Sequence, residues 1–365
     1  SSRMDFVDEL RDRATGTERT LSGALYSHPD HFQDEAERLL SREWLCLGRA
    51  DEIPNVGDYF TVQALNEPLL VTRANDGDVH VLANICRHRG SPVASGSGNA
   101  KKFVCPYHAW SYGLDGALRA TPRMPKKRAQ DLCGLPRHRS EIWAGFVYVN
   151  LDGEAAPMAP RLMGLSDILQ NYRTEEMRCV HSAEEVWATN WKCLVENFME
   201  AYHLSVVHPE TLHWVTPTGL SKKFDGGDGY TGYVANYPAD VPARGKGAPE
   251  LTAEQRHRST LFSVFPCHVA SQSASLLVSL CLLPEGPEAV RVRWTASVYA
   301  DDFSDEEIAE RITLWSDVNA EDRAKLEATQ KGFRSRFAAD GPLAPGDMEG
   351  TIADFHRYLG AKLAP

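Results

Sequence analysis

Two short cysteine–histidine arms constrain this chain more than any other feature of its sequence. The first is Cys86-Arg-His88, and sixteen residues later comes Cys105-Pro-Tyr-His108. Each arm offers one thiolate and one imidazole, both competent metal ligands. Each follows a strand-like run and sits among Gly, Ser and Pro (Arg89-Gly-Ser-Pro; Pro106), as a site carried on two loops would. A structural zinc finger usually separates its ligands into a cysteine pair and a histidine pair. Here both arms are mixed, which suits a [2Fe–2S] cluster with cysteines on one iron and histidines on the other. Neutral imidazoles in place of two thiolates raise the potential of such a cluster. A Cys₂His₂ zinc site, or four unrelated residues, is the alternative.

Around these arms the texture is all-β. Short Val/Leu/Tyr-rich runs (Tyr59 to Val62, Pro68 to Thr72, Val79 to Ile85, Trp143 to Asn150) alternate with Gly, Asn, Asp and Pro clusters. Before them, Phe32, Ala36, Leu39, Leu40 and Trp44 fall at helical spacing, which predicts an amphipathic helix from Phe32 to about Trp44. The run from Ala155 to Pro160 reads as a linker. Beyond it, helical patterns at Trp191 to Val207 and Asp305 to Phe337 mix with strands at Ser275 to Leu283 and Ala289 to Tyr299, an α+β order. The tracts Asp225 to Gly232 and Tyr237 to Pro249 read as mobile loops. Two domains are also what 365 residues call for.

The balance of 39 basic against 50 acidic residues, net −11, argues against nucleic-acid or anionic-membrane partners. No apolar run approaches a membrane span, and Ser1-Ser2-Arg3-Met4 has no apolar core of a secretory signal. Eight cysteines in a chain this long suggest thiols in a reducing, cytoplasmic setting rather than a disulfide scaffold. Cys46, Cys133, Cys179, Cys193, Cys267 and Cys281 have no ligand spacing and are expected to be small core residues.

A second constellation lies in the segment Asn190 to Pro209. On one continuous helix Glu196, Glu200 and His203 would share a face, with no Lys or Arg between Lys192 and His208 to partner them. His208 could meet the same ion as His203 only if the helix ends or unwinds between them, and Pro209 disfavours helical geometry at His208. A third ligand is sought further along. Asp305 to Phe337 opens with a capping box, Ser304 and Glu307, and carries an inner stripe of Ile308, Ile312, Trp315, Leu326, Phe333 and Phe337. Asp322 falls on that stripe, where a carboxylate is costly unless paired or metal-bound, while Glu321 points nearly the opposite way. An aspartate inward by chance is the competing reading. His203, His208 and Asp322 would make the two-histidine, one-carboxylate set of non-haem Fe(II) oxygenases, with open coordination positions. His181, His213 and His268 are expected to be surface residues or to support ligands rather than to be ligands themselves.

With both constellations in hand, the chain resembles the large (α) subunit of Rieske non-haem iron oxygenases over nearly its whole length. Cys86-Arg-His88-Arg-Gly and Cys105-Pro-Tyr-His108-Ala-Trp110 stand as that family's cluster arms, with Ala109 where Gly is common. The resemblance implies Cys86 and Cys105 on one iron and His88 and His108 on the other. The segment around Asp322 also resembles the family's third-ligand region. It further implies a homotrimer in which electrons cross between subunits. An acidic residue, here Glu200, would link His203 to the neighbouring subunit's cluster histidine at the position of His108. Many members have Asp there. The longer Glu resembles the group acting on choline, betaines and carnitine.

One Rieske [2Fe–2S] cluster and one mononuclear Fe(II) per subunit are therefore expected. NAD(P)H would be used indirectly, through a separate flavin/iron–sulfur reductase or ferredoxin, since no dinucleotide fingerprint occurs. Lys101, Lys102 and Lys126-Lys127-Arg128 are basic islands that a reductase could use, though a solvated loop is the preferred reading. Trp187, Trp191, Tyr202, Trp214, Tyr230, Tyr233 and Tyr237 are mostly core, with a few able to line an aromatic cage for a quaternary ammonium. N-demethylation or hydroxylation of a betaine-like compound is preferred. Ring hydroxylation or O-demethylation of an aromatic acid is the alternative, and a non-catalytic Rieske electron carrier is an alternative of another class. The resemblance supplies the architecture: an N-terminal helical segment (1–40) packing on the catalytic domain, an all-β Rieske domain (41–155), and a helix-grip α+β catalytic domain (156–365) with a curved antiparallel sheet.

Overall fold

The computed structural model describes residues 3–299, 301–338 and 340–365. In chain order the first strands are β1 (Trp44–Arg49), β2 (Asp58–Ala64), β3 (Glu67–Arg73), β4 (Val79–Ala83) and β5 (Ser97–Asn99). The short β6 (Phe103–Val104), β7 (Ser111–Tyr112) and β8 (Leu118–Ala120) follow, then β9 (Arg137–Trp143) and β10 (Phe146–Asn150). Seven of these form one antiparallel sheet, ordered β1-β10-β9-β4-β3-β2-β5, and β6-β7-β8 form a small sheet beside it. Two hairpins turn on residue pairs with positive φ, Leu65-Asn66 (48° and 67°) and Ala144-Gly145 (51° and 83°). Positive φ at both central residues matches the right-handed twist of the flanking strands. Trp143 to Asn150 is therefore not one strand, as its residue types suggest, but the end of β9, a tight turn and β10.

The second sheet comprises β11 (Arg178–Trp187), β12 (Ser221–Lys223), β13 (Tyr230–Asn236), β14 (Arg258–Val264), β15 (His268–Gln272), β16 (Leu276–Gly286) and β17 (Ala289–Val298). β12 to β17 form a meander, and β11 closes the far edge against β17. Part of the Gly-rich tract expected to be a loop is thus strand, because β13 begins at Tyr230. β16 is buried from Leu277 to Pro284 without alternation. Both its faces are covered: the helix Trp191–Phe198 packs on one, and β1 and β2 of the first sheet pack on the other. Cys281 of β16 and Cys46 of β1 meet there with their sulfurs 3.3 Å apart. Burial of a Leu side chain such as Leu280 or Leu282 contributes about 2 kcal/mol.

Helices complete an α+β architecture of an all-β unit and a curved antiparallel sheet gripping a helix. Arg3–Ala14 lies against the C-terminal helix Gly350–Leu363. The helix Pro29–Glu35 runs into a π turn, Ala36–Leu40, and stops. Trp44, expected to end this helix, instead heads β1, paired with Asn150. The long helix Asp305–Gly332 opens with the expected capping box: Ser304 Oγ accepts from Glu307 N at 3.2 Å, and Glu307 Oε1 accepts from Ser304 N at 3.1 Å. Val318, Asn319, Asp322, Leu326 and Gln330 are its buried side chains. Phe337 lies past the helix end and is 79 % exposed, so it is no part of that inner stripe.

The segment Trp191 to Val207 is not one helix either. A helix capped by the Asn190 side chain covers Trp191–Phe198, and a single turn covers Leu204–Val207. The interruption has a local cause. The His203 backbone N–H, which a continued helix would send to the Met199 carbonyl, is taken by Glu200 Oε2 at 3.0 Å. The Met199 carbonyl instead accepts from the Thr351 hydroxyl. A carboxylate competing for backbone donors ends the helix, and the chain is free to swing His203 and His208 onto one side.

Candidate metal centres

The two cysteine–histidine arms face each other on loops. In the first, Cys86 N donates to Ser91 O at 2.7 Å and Gly90 N to Cys86 O at 2.9 Å. The second follows β6, with Cys105 N donating to Trp110 O at 2.7 Å and Ala109 N to Cys105 O at 3.0 Å. Ala109 holds φ 63°, a left-handed conformation that explains why Gly suits this position. His88 Nδ1 and His108 Nδ1 are 3.1 Å apart. Cys86 and Cys105 are buried, whereas His108 is exposed, so sulfur lies inward and imidazole outward. Burial pushes the Cys105 thiol up, but the Tyr107 backbone N–H and the Cys86 side chain outweigh it and hold it below its usual range. Four donors with buried sulfurs and paired Nδ1 atoms could hold two irons. Sequence reasoning passed over Tyr112, whose hydroxyl lies 3.2 Å from Cys86 Sγ and accepts the Arg87 N–H at 2.9 Å. Its place just past the second arm, on the strand that pairs with β6, is the only signal the sequence holds for it.

About the second constellation, one donor atom each from His203, His208 and Asp322 lies within 4.8 Å of the others. His208 Nε2 is 3.3 Å from His203 Nε2 and 2.9 Å from Asp322 Oδ1, and His203 Nε2 is 3.4 Å from the same oxygen. His208 leaves the one-turn helix at φ −118°, ψ 51°, the exit that Pro209 favours. Asp322 is buried as its place on the stripe requires, yet Oδ1 is in hydrogen-bond alignment with no described group. Such a buried, orphaned, anionic oxygen facing two ring nitrogens fits a divalent cation. The electrostatics agree. Burial disfavours the His203 imidazolium, but Asp322 and Glu200 raise its pKa to about 10. The same balance raises His208 and lowers Asp322.

The outer faces of both imidazoles are held by carboxylates. Glu200 Oε1 is 2.5 Å from His203 Nδ1. Glu321 Oε1 is 3.1 Å from His208 Nδ1 and accepts the Thr211 hydroxyl at 2.8 Å. Glu321 was expected to point away, because an ideal helix sets it about 140° from Leu326 on the inner stripe. It reaches the site because His208, beyond the helix break, approaches from that side. Glu196 does not join. Its carboxylate accepts the Tyr26 hydroxyl at 2.8 Å and meets His356 Nε2 at 2.7 Å.

The other histidines stay apart from this ion site. His181 packs on Trp294, and His213 bonds Ser205 Oγ at 2.8 Å. His268 is buried rather than at the surface and clusters with Cys46 and Cys281, donor atoms within 4.8 Å of one another. Both its nitrogens are engaged, by Tyr148 at 2.6 Å and Ser279 at 2.7 Å, and burial pushes its pKa down to about 3. Cys133 is exposed and Cys179 half-buried, against the expectation of a core place for every spare cysteine.

A cavity opens beside the second centre, about 110 Å³ in volume for the centre of a water-sized sphere. Leu204 and Thr211 line it on the ion side, and Tyr233, Tyr237, Phe303 and Trp315 give it an aromatic wall. Of the seven aromatics singled out in sequence only Tyr233 and Tyr237 take part. Trp187, Trp191 and Tyr230 are core, and Tyr202 and Trp214 are exposed. The Tyr233 hydroxyl is buried and has no partner among the described residues.

Comparison with known proteins follows the same division. A model of the Rieske [2Fe–2S] domain matches residues 43–138. A model described as ring hydroxylating alpha subunit (catalytic domain) matches residues 172–364. The chain is 35 % identical over 215 residues to the glycine betaine monooxygenase oxygenase subunit of Chromohalobacter salexigens, covering 58 % of this chain but only 48 % of that protein. It is 27 % identical over 371 residues to the carnitine monooxygenase oxygenase subunit of Escherichia coli K12, covering 93 % of this chain and 92 % of that one. Its fold matches the crystal structure of the quaternary ammonium Rieske monooxygenase CntA with L-carnitine, at TM-score 0.81 and 22 % identity over 98 % of both chains.

Proposed function

This chain belongs to the ring-hydroxylating α-subunit family, and on that premise we propose that it is the terminal oxygenase of a Rieske system acting on a quaternary ammonium or betaine-like compound. The reading is carried by one observation, the approach of His203, His208 and an orphaned Asp322 oxygen beside an aromatic-walled cavity. The names of the betaine and carnitine relatives support the substrate class. Aromatic faces attract a quaternary ammonium through their quadrupoles.

In this assignment Cys86, Cys105, His88 and His108 hold the [2Fe–2S] cluster, and His203, His208 and Asp322 hold the mononuclear iron. These two groups supply electron transfer and O₂ activation when bound. The chain's own residues do the remainder. Glu321 accepts the His208 Nδ1 proton and so keeps Nε2 free to ligate. Glu200 does the same for His203 and, beside the exposed segment at Tyr202, is the group to face a neighbouring subunit's cluster histidine. The aromatic wall orients an N-methyl group toward the ion site, and the apolar lining excludes water. Hydroxylation of that methyl gives a hemiaminal, which releases formaldehyde.

The partners follow. A separate reductase or ferredoxin supplies electrons, and Lys101, Lys102 and Lys126 to Arg128, all exposed, are a basic surface it could use. A homotrimer with electron transfer between subunits completes the circuit. No helix among the described residues is long and apolar enough to cross a membrane. Eight free cysteines support a reducing compartment such as the cytoplasm. The division into residues 1–40, 41–155 and 156–365 is the domain scheme that suits this assignment. Oxygen uptake and formaldehyde release, measured with a generic reductase against a panel of quaternary amines and aromatic acids, test the reading. Uptake with an amine and formaldehyde in step is expected. Uptake with aromatic acids alone would replace the substrate class.

A further inference from the structure

Building on that proposed function, we propose that the substrate carries an anionic group at the end remote from the reacting carbon, and that Arg244 and Arg311 hold it. Both side chains line the cavity described above. Arg311 lies on the long helix eleven residues before Asp322, a rise of about 16 Å along the axis. Leu314 and Trp315, which line the cavity between them, sit on the intervening turns. Arg244 enters from the loop that follows β13. That loop is pinned where Gly247 N donates to Asp302 Oδ2 at 2.6 Å, next to Gly245 and Gly247 at φ 74° and 65°.

Neither guanidinium forms an ion pair or hydrogen bond with a described residue, and Arg311 meets only the face of Phe303, at 5.1 Å. The nearby acids are otherwise engaged or turned away. Glu307 serves the capping box, Asp302 serves Gly247 and Ser275, and Glu310 is exposed and outside the cavity. Among the described residues no acidic side chain lines the cavity. Burial and the positive charge of Arg244 together depress the Arg311 guanidinium, which Glu307 and Glu310 do not offset. Arg244 is exposed and Arg311 half-buried, so two cations without an ion-pair partner among the described residues stand where an entering anion would meet them. The planar guanidinium fork matches a carboxylate in particular. Arg256 also lines the cavity, but it is tied to the Ala248 carbonyl at 3.0 Å. The lining thus changes along the cavity: Tyr233 lies toward the ion site, near Glu200 and Asp322, and the two arginines stand at the far end beside Phe303 and Tyr237. A zwitterion such as a trimethylammonio acid satisfies both ends, whereas choline, with no anion, satisfies one.

Calorimetric titration of the metal-replete protein compares 4-(trimethylammonio)butanoate with its carboxamide, and 4-phenylbutanoate with its carboxamide. The acid of a binding pair is expected to bind about tenfold or more tightly than its amide. Arg244→Gln and Arg311→Gln should each weaken the acid roughly tenfold while moving the amide less than about twofold, and Arg311→Lys should recover part of the loss. Equal binding of acid and amide, or equal losses of both in the variants, would overturn the proposal. Should only the phenyl acid show the arginine dependence, the anion subsite stands and the quaternary-ammonium assignment fails.

Discussion

Glu321 offers the sharpest test of how the ion site is supported. Its carboxylate is 3.1 Å from Nδ1 of His208, a ring that is itself fully buried. In Glu321→Gln the amide oxygen can still accept the Nδ1 proton, and only the negative charge that makes the imidazole a better donor is lost. The glutamate side chain is 29 % exposed, so part of that charge is already screened. Carboxylates behind a metal-bound histidine are worth about 10–100-fold in metal affinity, and this variant belongs near the lower limit, about 1.4 kcal/mol. Glu321→Ala also strands the Thr211 hydroxyl, 2.8 Å away, and belongs near the upper limit, about 2.8 kcal/mol. Ferrous-ion affinity is measured by chelator competition, with the visible absorbance of the cluster as an internal reference. Native-like iron affinity in both variants, or loss of the cluster alongside the iron, would refute the reasoning.

Glu200→Gln is expected to keep both metal groups and to slow turnover by about tenfold or more, read as reduction of the mononuclear site in single-turnover mixing; unchanged turnover removes Glu200 from the electron path. Tyr112→Phe deletes the hydroxyl 3.2 Å from Cys86 Sγ, and should lower the cluster potential by roughly 60 mV for a hydrogen bond worth about 1.4 kcal/mol; redox titration checks it. Glu35 is buried against Lys192 at 2.6 Å; burial opposes its charge, but Lys192 and His31 win and lower its pKa from the ordinary 4.5 to about 2. A depressed folded-state value stabilises above pH 4.5 and is lost as the pH falls toward 2, so Glu35→Gln, which strands a buried ammonium, should cost about 3–5 kcal/mol at pH 7 and progressively less near pH 2 by denaturant melts.

How far the site was legible depended on whether its chemistry was local. The cysteine–histidine arms are short, so residue type and spacing singled out the four residues that the two loops bring to face each other. Asp322 was legible because a carboxylate on an apolar stripe is too costly to keep without a cation to offset its burial. Glu196 was misread because ideal helical angles were carried across Met199, where Glu200 takes the backbone donor that would have continued the helix, and Glu321 because the side from which His208 approaches is set beyond that same break. A hydrogen bond of that kind leaves no trace in hydrophobic periodicity. The aromatic wall was half legible, since Phe303 and Trp315 come from a segment far from the histidines and meet Tyr233 and Tyr237 only through the sheet. Trp44 and Phe337 show the same limit at element ends, where an apolar residue continues the pattern after the backbone has turned.

The central claim, that His203, His208 and Asp322 together hold an iron separate from the cluster, is tested most directly by iron analysis of Asp322→Ala beside its absorption spectrum. The account predicts a protein that keeps the red-brown colour and the labile sulfide of the cluster and lacks the remaining iron. Full iron content in the variant, or a colourless one, would contradict it.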